Sequence, residues 1–349
     1  MLPLSTGDDP MAILRAIKRV WFGWRDARDR RALTTHPVGR GAITWNPRHT
    51  VYVRAYYAYC VGLFADALAR EGRRLHLVFG DYPAAPAGDM PLCRIGFQIE
   101  HTLVRPGGGD SEGAPPSRTP LPDGGGVYLA RVSGLDRLLG CDTVVEYSAA
   151  NLAHLRRARG FDAYLDKALL VSPLLYDADF SMAQRRREIV SLFSDPAEGR
   201  RGRLIRAARD AGVIIHNVKR CFDAQRLRRL YRDTRILVNM HRSDDHHTLE
   251  ELRVLPALLC GVLVVSEDVP LRDSIPYARY VIWSSLDDLP AMVARVHAEY
   301  AVWHTRIFQD PELKAVLAQM QADNRAAVAG ALSRWVGNHH DGAAVRKPS

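Results

Sequence analysis

Ionisable residues gather at three places along this 349-residue chain. The densest is HRSDDHHTLEE, from His241 to Glu251, with His241, Asp244, Asp245, His246, His247, Glu250 and Glu251 in one run. Imidazoles and carboxylates together can hold a divalent cation, move a proton or hydrogen-bond a polyhydroxylated ligand. Their spacing matches no familiar zinc pattern. No metal ligands are therefore assigned, and hydrogen bonding to a polar ligand stands against a solvated loop. The second place is SDPAEGRRGR, with Arg200, Arg201 and Arg203. A guanidinium fork can take two phosphate oxygens at once, although an arginine run on a surface turn has the same appearance. The third is a pair of strand ends: FQIEHTLV carries Glu100 and His101, and VVEYSAAN carries Glu146, Tyr147, Ser148 and Asn151. Asp81, after another predicted strand, belongs with them. Each could serve as an acid or base, or simply satisfy backbone groups beside a strand.

The elements that would position these groups alternate strand and helix. Around the histidine run, Ile236 to Val238 and Val262 to Val265 read as parallel strands, joined by the polar loop and an apolar helix starting near Thr248. The loop then lies at the carboxyl edge of a sheet, where open α/β folds bind ligands. Upstream, the pattern predicts a loop containing Pro37, Gly39, Gly41 and Pro47, then a helix over 52–70. Strands follow at 75–79 and within Cys93 to Val104. Residues 106–126, PGGGDSEGAPPSRTPLPDGGG, have almost no large apolar side chains and are expected to be a mobile loop. Strands at 127–132, 143–147 and 168–175 close this half, with helices at 135–139 and 149–159 between them. The second half repeats the alternation with strands at 189–193, 213–216 and 280–283, and helices at 204–211, 225–231 and 289–300. A helical tail runs over 301–335. The fold class expected is α/β, with two tandem Rossmann-like domains and a helical carboxyl-terminal segment. The divisions are 1–44, 45–180, 181–300 and 301–349.

Composition sets the outer limits. The chain is 47% hydrophobic and 25% charged, as an ordinary globular protein is. No apolar run approaches the roughly 18 residues of a spanning helix, and MLPLSTGDDPMAIL does not read as a secretory signal. The five cysteines lack CxxC spacing and are expected to be buried thiols. A formal net charge of +9 favours an anionic partner. Residues 11–31 form a basic amphipathic pattern with Trp21 and Trp24, suited to an anionic membrane surface or to packing on protein. The expected location is cytoplasmic, with attachment to the inner membrane face through that segment. Nucleic acid is not expected as a partner, because no helix-turn-helix, RNP or zinc-finger pattern accompanies the charge.

LRRLYRDTRILVNM, HRSDDHHTLEELRVLPALLCG, VLVVSED and the later PYARYVIWSSLDDLPAMV together resemble the carboxyl-terminal domain of GT-B glycosyltransferases. FQIEHTLV and VVEYSAANLAHL are similar to segments of GT-B-like proteins. The resemblance implies a GT-B architecture and metal-independent transfer from a nucleotide diphosphate sugar to a glycan, lipid-linked or protein acceptor. No essential cofactor is implied. It assigns donor contacts to Arg200, Arg201, Arg203, His241, His247, Glu250, Glu251 and Arg253, and catalytic roles to Glu250 and to Glu100 or His101 as acceptor-side base. One position departs from the family. A second glutamate is expected five residues before Gly261, and Pro256 stands there, where it is expected to kink the helix. The alternatives are a GT-B-like glycan- or nucleotide-binding protein without catalysis and, further off, a nucleic-acid-binding protein.

Overall fold

The computed structural model describes residues 32–47, 53–80, 88–182, 185–192, 199–219, 221 and 223–343. The basic segment 11–31 and Asp81 lie outside them. Fourteen strands and the helices between them are described. The strands are β1 (Thr34–Val38), β2 (Gly41–Trp45), β3 (His76–Phe79), β4 (Leu92–Gln98), β5 (Leu103–Val104), β6 (Pro116–Pro120) and β7 (Val127–Ala130). They continue as β8 (Thr143–Glu146), β9 (Ala168–Leu170), β10 (Arg187–Ser191), β11 (His216–Asn217), β12 (Thr234–Asn239), β13 (Leu263–Glu267) and β14 (Ile282–Ser284).

Among the described residues the first sheet has the order β1-β2-β3-β4-β8-β9. Its strands are parallel except for β1, which pairs antiparallel with β2. The loop expected at Pro37, Gly39 and Gly41 is thus a hairpin. Pro37 is tolerated because β1 is an edge strand, and Gly39 turns the chain at φ +57°, a conformation that glycine adopts without a Cβ penalty. Behind the sheet, Tyr56, Phe64 and Leu68 of the Arg54–Glu71 helix pack against Leu77, Phe79 and Ile95. These apolar positions recur at helical spacing on one side and strand spacing on the other, which is why both elements were legible.

The second sheet, β11-β10-β12-β13-β14, is entirely parallel. In chain order this is 2-1-3-4-5, so the connections diverge between β10 and β12, a switch point whose carboxyl side is the usual ligand crevice of such sheets. β13 is wholly buried and β12 is buried except at Arg235, and both read as near-continuous apolar runs, as interior parallel strands do. The helix expected from near Thr248 begins at Glu251 and runs through Pro256 to Leu259 without a break. It ends at Gly261, φ +68°, where a Cβ would come within 2.8 Å of Arg185 Nη2. Arg185 is buried and donates to the carbonyls of Ser181, Tyr231, Thr234 and Cys260, fastening the segment between the two sheets onto the second.

A third, antiparallel sheet, β5-β7-β6, inserts between β4 and β8. Two expectations are corrected here. The strand foreseen over Cys93 to Val104 splits between sheets, and the loop foreseen over 106–126 contains β6. That strand buries Ser117 and Thr119, small polar residues that hydrophobic patterning does not register. The tail is also more divided than expected, into Tyr300–Phe308 and Pro311–Ala343. The latter helix returns to the first sheet. Its buried Asn324 accepts from Ser172 N at 2.8 Å, and donates to Ser172 O at 2.9 Å and to Tyr59 Oη at 3.0 Å.

The fold is therefore α/β, two Rossmann-like parallel sheets with a carboxyl-terminal helical segment, as the alternation of elements predicts. Among the described residues, no helix is long and apolar enough to cross a membrane.

Candidate functional site

The carboxyl ends of both parallel sheets face one another across a polar cleft of about 460 Å³, within the size range of small-molecule sites. From the first sheet it receives Glu100 and His101 after β4, Tyr147 after β8, and Asp110 and Arg131 from the inserted sheet. From the second it receives Arg201 at the start of the Arg200–Asp210 helix, Arg242 and His246 from the loop after β12, and Glu250 and Arg253 at the next helix. Four arginines thus face three carboxylates.

His101 and Glu250 join the two halves. The His101 Nδ1 pairs with Thr248 Oγ1, and Nε2 lies 3.5 Å from Glu250 Oε1. Both ring nitrogens therefore face protein partners from the second domain. Arg253 Nη2 lies 3.8 Å from Glu250 Oε2, and Nη1 donates to Asn239 Oδ1 at 3.0 Å. Burial opposes the charge on Glu250, but Arg253, His101, Arg201 and His241 outweigh it and hold its carboxyl below the usual range. Glu250 is thus an anion in a cationic setting. The His246 ring lies 5.4 Å from that of His101, tilted by 34°. Its Nδ1 pairs with Ser243 Oγ at 3.1 Å, while Nε2 lies 3.9 Å from Asp110 Oδ2. Asp110 accepts from Arg131 at 2.9 Å and adopts φ +66°, unusual for a residue with a Cβ.

Of the residues singled out in the sequence, Glu100, His101, Tyr147, Arg201, His246, Glu250 and Arg253 meet at the cleft, whereas Arg200, Arg203, His241, His247, Glu251 and Glu146 do not line it. Arg200 points beneath it, clasping Glu267 with two bonds of 2.7 and 2.5 Å and donating to Asp244 at 2.7 Å. Arg201 also grips protein, donating to the carbonyls of Met240 and His241. Arg203 lines a separate groove with Leu286, Asp287 and Pro290. His241 is buried beside Glu267, which accepts its backbone N–H at 3.0 Å. Burial pushes the His241 imidazole down to about 4. The His247 ring lies tilted between those of His241 and Tyr128, at 5.0 and 5.4 Å.

Glu251 turns away from the cleft into the interface between the domains. Tyr277 Oη donates to it at 2.9 Å. Burial pushes its carboxyl up to about 7 against the lowering effect of the Ser148 and Tyr277 hydroxyls. Glu146 is fully buried and accepts from Tyr147 N, Ser148 N, Asn151 Nδ2 and Tyr164 Oη. Burial nevertheless pushes it up to about 8. Its four partners mark it as the organiser of the turn after β8, the structural alternative raised by the sequence.

Arg131, Arg242 and Asp110 were not anticipated as site residues. Arg242 and His246 lie in the loop already identified, and the carboxyl-edge rule applies to them equally. Arg131 and Asp110 come from the insert, whose docking is a tertiary event. Arg105 N donates to Asp245 O at 2.9 Å, and Gly108 packs so closely that a Cβ would come within 2.7 Å of the Asp245 carboxylate.

No protein-family model matches the sequence. An 85-residue stretch, 23% of the chain, is 27% identical to an uncharacterised protein of Acanthamoeba polyphaga mimivirus, and covers 30% of that protein. Among solved structures, a mutant of S. aureus TarM crystallised with fondaparinux, alpha-GlcNAc-glycerol and UDP superposes with a TM-score of 0.40 at 10% identity. That alignment covers 75% of this chain and 55% of the other.

Proposed function

We propose that the protein is a glycosyltransferase that moves a sugar from a nucleotide diphosphate sugar to a glycan, lipid-linked or protein acceptor. The observation that carries this reading is the composition of the cleft at the facing carboxyl edges. Arg131, Arg201, Arg242 and Arg253 concentrate positive charge at a topological switch point, in a space suited to one small anionic ligand. Departure of a nucleoside diphosphate develops negative charge on the leaving oxygens. Fixed guanidinium groups in a partly water-excluded site stabilise that charge without reorganising. Arg242 and Arg253 face the diphosphate, and Glu250 hydrogen-bonds the nucleoside ribose or the donor sugar. Glu100, which lines the cleft from the first domain, receives the acceptor proton. His101, with both nitrogens engaged, positions Glu250.

The test is a panel of UDP-, GDP- and TDP-sugars, read by thermal shift and by release of nucleoside diphosphate. At least one donor is expected to raise the melting temperature and to be turned over, with water or an added glycan as acceptor. A stabilising donor that is never consumed would favour the non-catalytic binding protein. If no donor shifts the melting temperature, the reading fails.

A further inference from the structure

Below the cleft, and separate from its lining, His241, His247 and Glu267 each offer a ligand atom, and these atoms all lie within 4.8 Å of one another. We infer that these three side chains bind one divalent transition-metal ion, of which zinc is the natural probe, and that the ion fixes the loop after β12 to the end of β13. The inference goes beyond the sugar-transfer reading and stands independently of it.

The histidines are arranged as metal ligands usually are. The Nε2 of His241 is 3.1 Å from Asp268 O, and that of His247 is 2.8 Å from Asp244 O. A carbonyl oxygen only accepts, so each Nε2 carries its proton and each Nδ1 keeps the lone pair. An outer carbonyl that sets the tautomer is the common support of a metal-bound imidazole. Glu267 is likewise held from behind. Arg200 clasps both its oxygens and His241 N donates to Oε2, which leaves acceptor capacity on the carboxylate. Arg200 does not exclude a cation here. Asp244 and Glu267 together carry two negative charges against the one positive charge of Arg200 that pairs with both. Two imidazoles and one carboxylate form a donor set that zinc accepts, with a further position open.

A second observation points to the same place. Tyr128 is 0% exposed, and its hydroxyl has no hydrogen-bond partner among the described residues. Its ring lies 5.4 Å from that of His247, on the inserted sheet that covers the loop. A buried hydroxyl without a partner typically costs about 1–3 kcal/mol. An ion at the three ligands, with water or hydroxide in its open position, supplies such a partner. The ion would hold the loop that presents Arg242 and His246 to the cleft, a role in structure rather than in the chemical step.

The experiment uses the full chain without an affinity tag, stripped with a chelator and titrated calorimetrically with Zn²⁺. A parallel titration with Co²⁺ is followed by visible absorption. The expected result is saturable uptake with one tight site per chain, the intense absorption of four-coordinate Co²⁺, and at least a tenfold loss of affinity in His247→Gln. A control, His36→Gln on an exposed edge strand, should bind as the parent does. Should His247→Gln fail to fold, diethyl pyrocarbonate labelling of the unaltered protein decides the matter by mass spectrometry. Zn²⁺ is expected to protect the partly exposed His247. Absence of saturable uptake, undiminished affinity in folded His247→Gln, or protection confined to other histidines would each overturn the proposal.

Discussion

Glu267 ends a wholly buried strand, yet it keeps its charge. Burial pushes its carboxyl up, while Arg200 and His241 pull it down more strongly, and the net position is below the usual range. Arg200 and Glu267 are each only 7% exposed, so neither can turn to water if the other is removed. Breaking a buried pair from one side usually costs about 3–5 kcal/mol, and the lower end applies here because Asp244 still pairs with Arg200. Glu267→Gln is therefore expected to lower unfolding free energy by about 3 kcal/mol in urea denaturation. Loss of well under 1 kcal/mol would show that the pair is not confined as described. Part of this was legible in the sequence. Arg200 stands out in the arginine run ahead of the helix expected at 204–211, and that helix begins at Arg200 itself. Its partner lies 67 positions away, and only folding brings β13 beside that helix. The same long-range pairing turned Arg200, His241 and His247 from cleft ligands into residues of the layer beneath.

At the level of elements, the Pro311–Ala343 helix crosses back to the first sheet and is fastened there by Asn324. Asn324→Ala removes three hydrogen bonds at once and strands both backbone groups of Ser172, which is itself buried. A loss of about 2–3 kcal/mol is expected, with earlier proteolytic cleavage within that helix than in the parent protein. Unchanged stability and unchanged cleavage would mean the helix is held elsewhere. The strands at Ile236 to Val238 and Val262 to Val265 were readable because a short continuous apolar run reports burial directly. The hairpin at Thr34–Trp45 was not, since glycine and proline punctuate loops more often than edge strands. β6 escaped because its inward residues are Ser117 and Thr119, whose burial depends on the loop they meet. The cleft residues Arg131 and Asp110 belong to that insert, so missing the insert meant missing part of the site.

Across the whole molecule, the two domains meet through groups that respond to protons. Glu251 reaches from the second domain into the interface, where Ser148, Tyr147 and Tyr277 surround it. Its folded value of about 7 stands above the ordinary 4.5. Between those values the folded chain binds more protons than the unfolded chain, so this group's contribution to stability falls as pH rises and levels off above about pH 7. Replacing it with glutamine removes that dependence. The stability of the parent relative to Glu251→Gln is expected to decline from about pH 4.5 to about pH 7, measured by denaturant unfolding at stepped pH. A constant difference, or one that grows with pH, would contradict the assignment. The same interface positions Glu250 over the cleft, and the central claim is that this cleft holds the donor. The most direct measurement is a crystal structure with the nucleotide diphosphate of the best-stabilising donor. The diphosphate is expected between the carboxyl edges of the two sheets, within hydrogen-bond distance of Arg242 or Arg253 and with Glu250 beside the ribose or sugar. Density for the nucleotide away from this cleft would contradict the account.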